Sequence, residues 1–369
     1  MGSTAGVIPP PPGVTPDFDY SNPRGFKTEM IIFGIGLFLS TLFLAMRVYT
    51  RACLLSKFGW DDVSIIIAWV LSLATQIACM LSCVYGGTGI HLWNVTPAMF
   101  DVYQKTILAA AVIYVPALAF AKVGLIILYH RIINKQNTYK WALHIISAII
   151  CGYSVAIVFA LIFACNPIQR SWDSSITRGS CIDRNGLYIA TAVTNIVSDL
   201  ALIVVPVPLV LGLQMPRVQK LGLLFMFVVG CATFITSILR LTTLIPTLTA
   251  TDVTYAIADA QLWIYVEANL IIICPCLPFL RQFLRYYSPS WIGEATSSGQ
   301  RYFGYYGTGS APRSRRKQGL TLLQDDIALA ESTESTHSQS HIIKEVQWQV
   351  IEEHGNAESA ARVGLSRRV

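Results

Sequence analysis

Hydrophobic and polar positions are unevenly distributed along the chain. Seven long apolar runs occupy about 29–49, 63–84, 106–129, 141–164, 187–211, 220–244 and 257–280, each bounded by polar, charged or proline-rich sequence. A helix needs about 20 mostly apolar residues to cross the hydrocarbon of a bilayer. In these runs the apolar character continues around most of the helix, as lipid contact requires. The pattern predicts an all-α membrane protein, a bundle of seven transmembrane helices. A soluble bundle is the alternative, but seven such segments cannot all be buried in 280 residues without lipid. Residues 1–28 read as a polar, Pro-rich extracellular tail, 29–280 as the membrane domain, and 281–369 as a juxtamembrane segment with a disordered tail. No cleavable signal peptide is expected in 1–28, and the first span would direct its own insertion.

Composition agrees. Residues are 53% apolar and 13% charged, against about 25% charged in a soluble domain. Of 48 charged residues, 28 lie in residues 1–280 and 20 in the last 89. This excludes an ordinary soluble enzyme and a basic nucleic-acid-binding domain. Eleven of the 27 basic residues lie at or beyond Arg281, so the net charge of +6 implies no nucleic acid. That basic tail, with the run Arg313-Ser-Arg-Arg-Lys317, puts the C-terminus in the cytosol and the N-terminus outside. Two further features then fall outside. Asn94-Val-Thr96 is the one N-x-Ser/Thr sequon, a candidate glycosylation site. Cys165 and Cys181 flank the fourth loop, where a disulfide is permitted. A disulfide is expected there, with two free thiols as the alternative. Residues 281–292 are read either as a short helix on the inner membrane surface or as a plain stop-transfer flank.

Charged side chains at membrane depth are costly and so point to function. Thr191, Thr194, Asn195, Ser198 and Asp199 share one helix face, as do Thr233, Thr236, Ser237 and Arg240. In the seventh span Asp259, Trp263 and Glu267 recur every four residues. Asn195, Asp199, Arg240, Asp259, Trp263 and Glu267 are therefore candidates to line an outward-facing polar cavity, with Arg240 near the outer edge and within reach of Glu267. Arg47, Asp61, Asp62 and Lys122 form a second candidate group near the cytosolic side, where the Lys122 stem can snorkel or reach a carboxylate. The plain alternative is structural, with Arg240–Glu267 and Lys122–Asp62 as neutral pairs that set helix register and hydroxyls bonding their own backbone. Pro206, Pro208, Pro275 and Pro278 are expected to kink or end the fifth and seventh spans. No catalytic signature is present. His91, His130 and His144 are scattered, so no metal site is expected.

The ordered residues resemble the fungal rhodopsin-domain family of seven-helix integral membrane proteins. The likeness runs through Arg47-Val-Tyr-Thr-Arg51, Gly59-Trp-Asp-Asp62, Gly86-Gly-Thr-Gly-Ile-His-Leu-Trp93, Tyr129-His-Arg131, Cys165-Asn-Pro167, Trp172-Asp173 and Cys181. It continues through Asn195, Asp199, Pro206, Pro208, Lys220, Gly230, Arg240, Trp263, Glu267, Pro275 and Pro278. The resemblance implies a receptor-like protein, or one encoded with secondary-metabolite genes. It does not imply retinal. A Schiff-base lysine is expected in the seventh helix, and residues 257–280 contain none, so no cofactor is expected. The primary expectation is a plasma-membrane sensor of a small molecule, with lipid and a cytosolic signalling protein as partners. A membrane-embedded enzyme or accessory protein in metabolite biosynthesis is the alternative. A transporter fits less well, because no internal repeat is visible.

Overall fold

The computed structural model describes residues 6–18, 23–56, 58–132, 137–173, 176, 178–205 and 217–287. The expectations for Pro206, Pro208, Trp291, Ile292 and the C-terminal tail lie outside them.

Seven helical spans are long and apolar enough to cross a membrane. They are α1 (Phe26–Tyr49), α2 (Trp60–Tyr85), α3 (Pro97–Ile132), α4 (Asn137–Ile162), α5 (Arg184–Val204), α6 (Arg217–Thr249) and α7 (Val253–Ile273). A 3-10 turn at Cys274–Cys276 joins α7 to α8 (Leu277–Tyr287). Each expected span overlaps one of these elements where described, and α4 ends at Ile162, two residues before the expected end. Two other boundaries differ most. α3 begins at Pro97, and α6 runs on to Thr249. Polar residues in those extra turns hydrogen-bond within their own helix, Lys105 to Asp101 and Thr247 to Thr243, so polarity did not end either helix. Pro275 interrupts the seventh span as expected: α7 ends at Ile273, and Pro275 lies in the single 3-10 turn before α8.

Two helix starts have a clear local cause. The Gly59 N–H donates to Asp62 Oδ2 at 3.0 Å, and two acids in the first turn of α2 suit the positive end of the helix dipole. Asp183 caps α5 by accepting from the Asn185 N–H at 3.1 Å. Val193, Val197, Leu200 and Val204 of α5 are exposed, whereas Asn195, Ser198 and Asp199 are buried. The spacing thus turns an apolar face outward and a polar face inward, as a lipid environment demands. Close helix approach depends on small residues. A Cβ on Gly124 of α3 would meet Ile65 Cδ1 of α2 at 2.7 Å.

Seven spans put the N-terminal end of α1 and the loops before α3, α5 and α7 on one face. On that face Cys165 and Cys181 are disulfide-bonded, in the antiparallel pair β1 (Cys165–Asn166) and β2 (Ser180–Cys181). The expected disulfide is present. Such bonds persist in oxidising compartments, which agrees with the expected placement of this face outside the cytosol. Unfolded without reductant, the protein is expected to react with a thiol alkylator at the seven remaining cysteines. Nine modified cysteines counted by mass spectrometry would contradict the bond.

The loop after α2 is pinned over the outer end of the bundle. Arg24 N–H donates to Gly89 O at 2.9 Å, and Gly89 N–H to Thr254 O at 2.8 Å. His91 stacks between Trp93 and Tyr255, with centroid distances of 4.3 and 4.0 Å. Its Nδ1 lies 2.5 Å from Asp252 Oδ2. The Asn94 Oδ1 accepts from the Asp17 N–H at 3.2 Å. At the opposite end, Tyr287 of α8 meets Tyr49 of α1, hydroxyl to hydroxyl at 2.8 Å.

Candidate functional site

The buried charges form two separate clusters. The inner one joins α1 to α2. Arg47 Nε lies 2.9 Å from Asp62 Oδ1 and its Nη2 2.7 Å from Asp61 Oδ2. Arg51 makes the mirror contacts, Nη2 to Asp61 at 2.6 Å and Nε to Asp62 at 2.9 Å. Arg47 Nη1 also donates to Pro275 O at 2.5 Å, and both guanidinium groups lie against the Phe279 ring. All four side chains are buried. Two arginines facing two aspartates are neutral as a set. Arg51 was not among the candidates, although it stands one helical turn from Arg47.

Lys122 does not belong to this cluster, and the Lys122–Asp62 pair of the structural alternative does not form. Its ammonium lies 2.9 Å from Asp199 Oδ1 and donates to Asn195 Oδ1 at 2.7 Å and Ser198 Oγ at 2.6 Å. The reason is that Arg47 and Arg51 already saturate both aspartates. Lys122 turns instead to the unpaired carboxylate facing it from α5.

Asp199 and Lys122 open a central network that reaches α6 and α7. Asn195 Nδ2 donates to Glu267 Oε1 at 2.6 Å. Ser237 Oγ lies 2.8 Å from Asp199 Oδ2 and 2.5 Å from Glu267 Oε1. Its single proton serves one of them at a time. Tyr114 O–H donates to Glu267 Oε2 at 2.5 Å, and Arg240 Nε lies 2.8 Å from the same oxygen. Lys122, Asp199, Glu267 and Arg240 sum to zero charge. Glu267 is thus gripped from α3, α5 and α6 together. Tyr114 was overlooked because it sits in an apolar stretch. Its position two turns before Lys122, on the same face of α3, was the available signal.

The other candidates lie elsewhere. Asp259 is exposed and pairs with Arg24 at 3.2 Å, held there because Arg24 also lies over Tyr255. Trp263 is half-buried. Arg240 is nine residues from the end of α6, roughly 13 Å by helical rise, so it is deeper than expected. Asn195, Asp199, Arg240 and Glu267 pack against one another. A cavity of about 30 Å³ adjoins the network beneath it, lined by Lys122, Tyr129, Asp199, Thr233 and Cys274 among others. A cavity of that volume holds a water or two. Thr191 and Thr194 bond backbone carbonyls of α5, so part of the α5 stripe is structural.

A second polar face of α7 escaped the sequence reading. Gln261, Tyr265 and Asn269, again four apart, face α1 and α2. Asn269 donates to Gln76 Oε1 at 3.0 Å and accepts from Ser40 at 2.8 Å. Gln261 reaches Cys83 Sγ at 2.8 Å, and Cys83 in turn donates to the buried Glu29 at 2.8 Å. His130 and His144, distant in sequence, stand side by side with ring centroids 5.2 Å apart.

The fold and the two neutral clusters define a seven-span membrane protein with a charged core. The family model of the fungal rhodopsin domain matches residues 46–286, so the chain belongs to that family, and the resemblance read from the sequence is borne out. The chain is similar to "Fugralins biosynthesis cluster protein 2" of Gibberella zeae, 26% identical over 65% of this chain and 62% of that one. It is also similar to "SAT4 family membrane protein" of Emericella nidulans, 32% identical over 54% of this chain and 51% of that one. The chain thus spans about half to three fifths of those two relatives. "Receptor GIN3" of Arthrobotrys oligospora is 21% identical over 85% of this chain and 76% of its own. No solved structure matches the chain.

Proposed function

We propose that this integral membrane protein is a receptor-like sensor of a small molecule in the plasma membrane. The observation that carries the reading is the sharing of Glu267. Tyr114, Asn195, Ser237 and Arg240, from three helices, converge on its two oxygens, and the one proton of Ser237 is shared with Asp199. A ligand that takes one of these partners changes how α6 and α7 are held, and the change reaches the cytosolic end through α8. Discrete alternative pairings of this kind are what a two-state switch requires. The relative named as a receptor supports the reading. A cytosolic signalling partner would read the change.

The test is a thermal-shift screen of fungal metabolites on the protein in nanodiscs. At least one compound is expected to stabilise the wild type and to act with at least tenfold altered potency, in either direction, on Glu267→Gln. A screen in which none does so contradicts the reading. The second reading, a role in metabolite biosynthesis, is favoured by the names of relatives assigned to biosynthesis clusters. Metabolite profiles of cells expressing wild type, Asp199→Asn or Glu267→Gln separate the two. A compound consumed only by wild type would favour chemistry, whereas matching profiles favour sensing.

The proposed topology has its own test. Asn94 lies on the non-cytosolic face and is expected to carry an N-glycan. Glycosidase treatment should increase gel mobility of the wild type and leave Asn94→Gln unchanged. A wild type insensitive to the enzyme would count against glycosylation there.

A further inference from the structure

Arg240 has hydrogen-bonding capacity that its neighbours leave unused. Its side chain is 5% exposed. Nε lies 2.8 Å from Glu267 Oε2, but off the N–H axis, so it makes no hydrogen bond. Nη2 is buried with no partner among the described residues. Buried polar atoms are nearly always paired, and a charged donor left unpaired is costly. Nε and Nη2 together form the guanidinium edge that takes both oxygens of a carboxylate in parallel.

Glu267 does not fill that edge because its oxygens are held elsewhere. Oε1 faces Asn195 and Ser237, and Oε2 accepts from Tyr114. The Tyr114 ring lies 5.2 Å from the Arg240 guanidinium carbon, which covers one face and leaves the fork to be met in its own plane. The other buried cation of the network differs. Lys122 has Asp199, Asn195 and Ser198 around its ammonium, which uses its three protons. The unmet donors of the network among the described residues are therefore at Arg240, and they suit a planar group with two acceptor oxygens.

We propose that Arg240 receives the carboxylate of a small organic acid, gripped side-on by Nε and Nη2. This rests on the sensor reading and adds the chemical class of its ligand. The bound acid competes with Glu267 for Arg240, and Glu267 stays on Tyr114, Asn195 and Ser237. The acid can come from solution or be a free fatty acid from the bilayer, and both present the same group.

The experiment is a thermal-shift titration in phosphatidylcholine nanodiscs with sorbate and oleate, each beside its methyl ester. At least one acid is expected to raise the melting temperature while its ester does not. A sorbate effect identifies a soluble source and an oleate effect a membrane one. Arg240→Gln is expected to weaken the effect at least about tenfold, as two charge-assisted hydrogen bonds are lost. Should Arg240→Gln fail to fold, Arg240→Lys keeps the charge without the fork and is expected to bind at least about tenfold more weakly. Glu267→Gln removes the competing carboxylate and is expected to bind the acid more tightly, a direction that a purely structural Arg240–Glu267 pair would not produce. Equal shifts from acid and ester, or an acid effect retained in both Arg240 variants, would overturn the carboxylate assignment and leave a sensor of another ligand class standing. No shift from either acid overturns the carboxylate assignment, and it reaches the sensor reading only if the metabolite screen fails as well.

Discussion

Arg47→Ala is expected to leave almost no correctly folded protein in the membrane. Arg47 is the one side chain that ties α1 to both aspartates of α2 and to the carbonyl of Pro275 beyond α7. Its removal leaves two buried carboxylates with Arg51 as their only cation among the described residues. Breaking a buried ion pair by deleting one partner costs about 3–5 kcal/mol. Whole domains are stable by only about 5–15 kcal/mol. Arg47→Lys should rescue little, because a single ammonium cannot meet Asp61, Asp62 and the Pro275 carbonyl in the same fork geometry. The control is Arg24→Ala, since the Arg24–Asp259 pair is about half exposed on both sides. Its loss should cost about 0–1 kcal/mol. Yield and melting temperature in detergent decide the matter. If Arg47→Ala melts with Arg24→Ala, the inner cluster is not what holds α1, α2 and α7 together.

The second large effect is expected at Lys122. Lys122→Met strands Asp199 without its cation and leaves Asn195 and Ser198 short of a donor. We expect a loss of about 3–5 kcal/mol. The informative variant is the double one. Lys122→Met with Asp199→Asn removes the stranded charge, and much of the loss should return, with a coupling energy of about 1–3 kcal/mol in a double-mutant cycle. Additive losses would mean that Lys122 and Asp199 act independently, contrary to their 2.9 Å contact. The same cycle run with Asp62 in place of Asp199 is expected to be additive, because Lys122 and Asp62 belong to different clusters.

The spans were legible because membrane insertion is a local matter of length and hydropathy. Each segment satisfies its own backbone and meets lipid by itself. The inward face of α5 was legible for the same reason, since Asn195, Ser198 and Asp199 recur at helical spacing and helical spacing fixes direction. The disulfide was legible from two cysteines flanking one loop on the oxidising side. Pairing across helices was not. Lys122 was grouped with Asp62 on depth alone, yet depth along a helix says nothing about which neighbour it faces. Gln261 and Asn269 were passed over because α7 carries two polar stripes, and the one containing Glu267 drew the attention. Glu29 was taken as the edge of a span, whereas the loop after α2 folds over that end and the carboxyl is buried among Cys83 and Gln261.

By itself, then, the sequence determined that this is a seven-span membrane protein, which of its residues sit at membrane depth, and which helix face each of them occupies. Those properties follow from periodicity and from the cost of charge in hydrocarbon, both of which act within one helix. Only the tertiary structure decided that the buried charges divide into two neutral sets, Arg47–Arg51–Asp61–Asp62 and Lys122–Asp199–Arg240–Glu267, and that Nη2 of Arg240 is buried without a hydrogen-bond partner among the described residues. Charge neutrality in a low-dielectric interior is a condition on the whole cluster. It is met by residues up to about 150 positions apart in the chain, and which of them meet depends on how the helices pack.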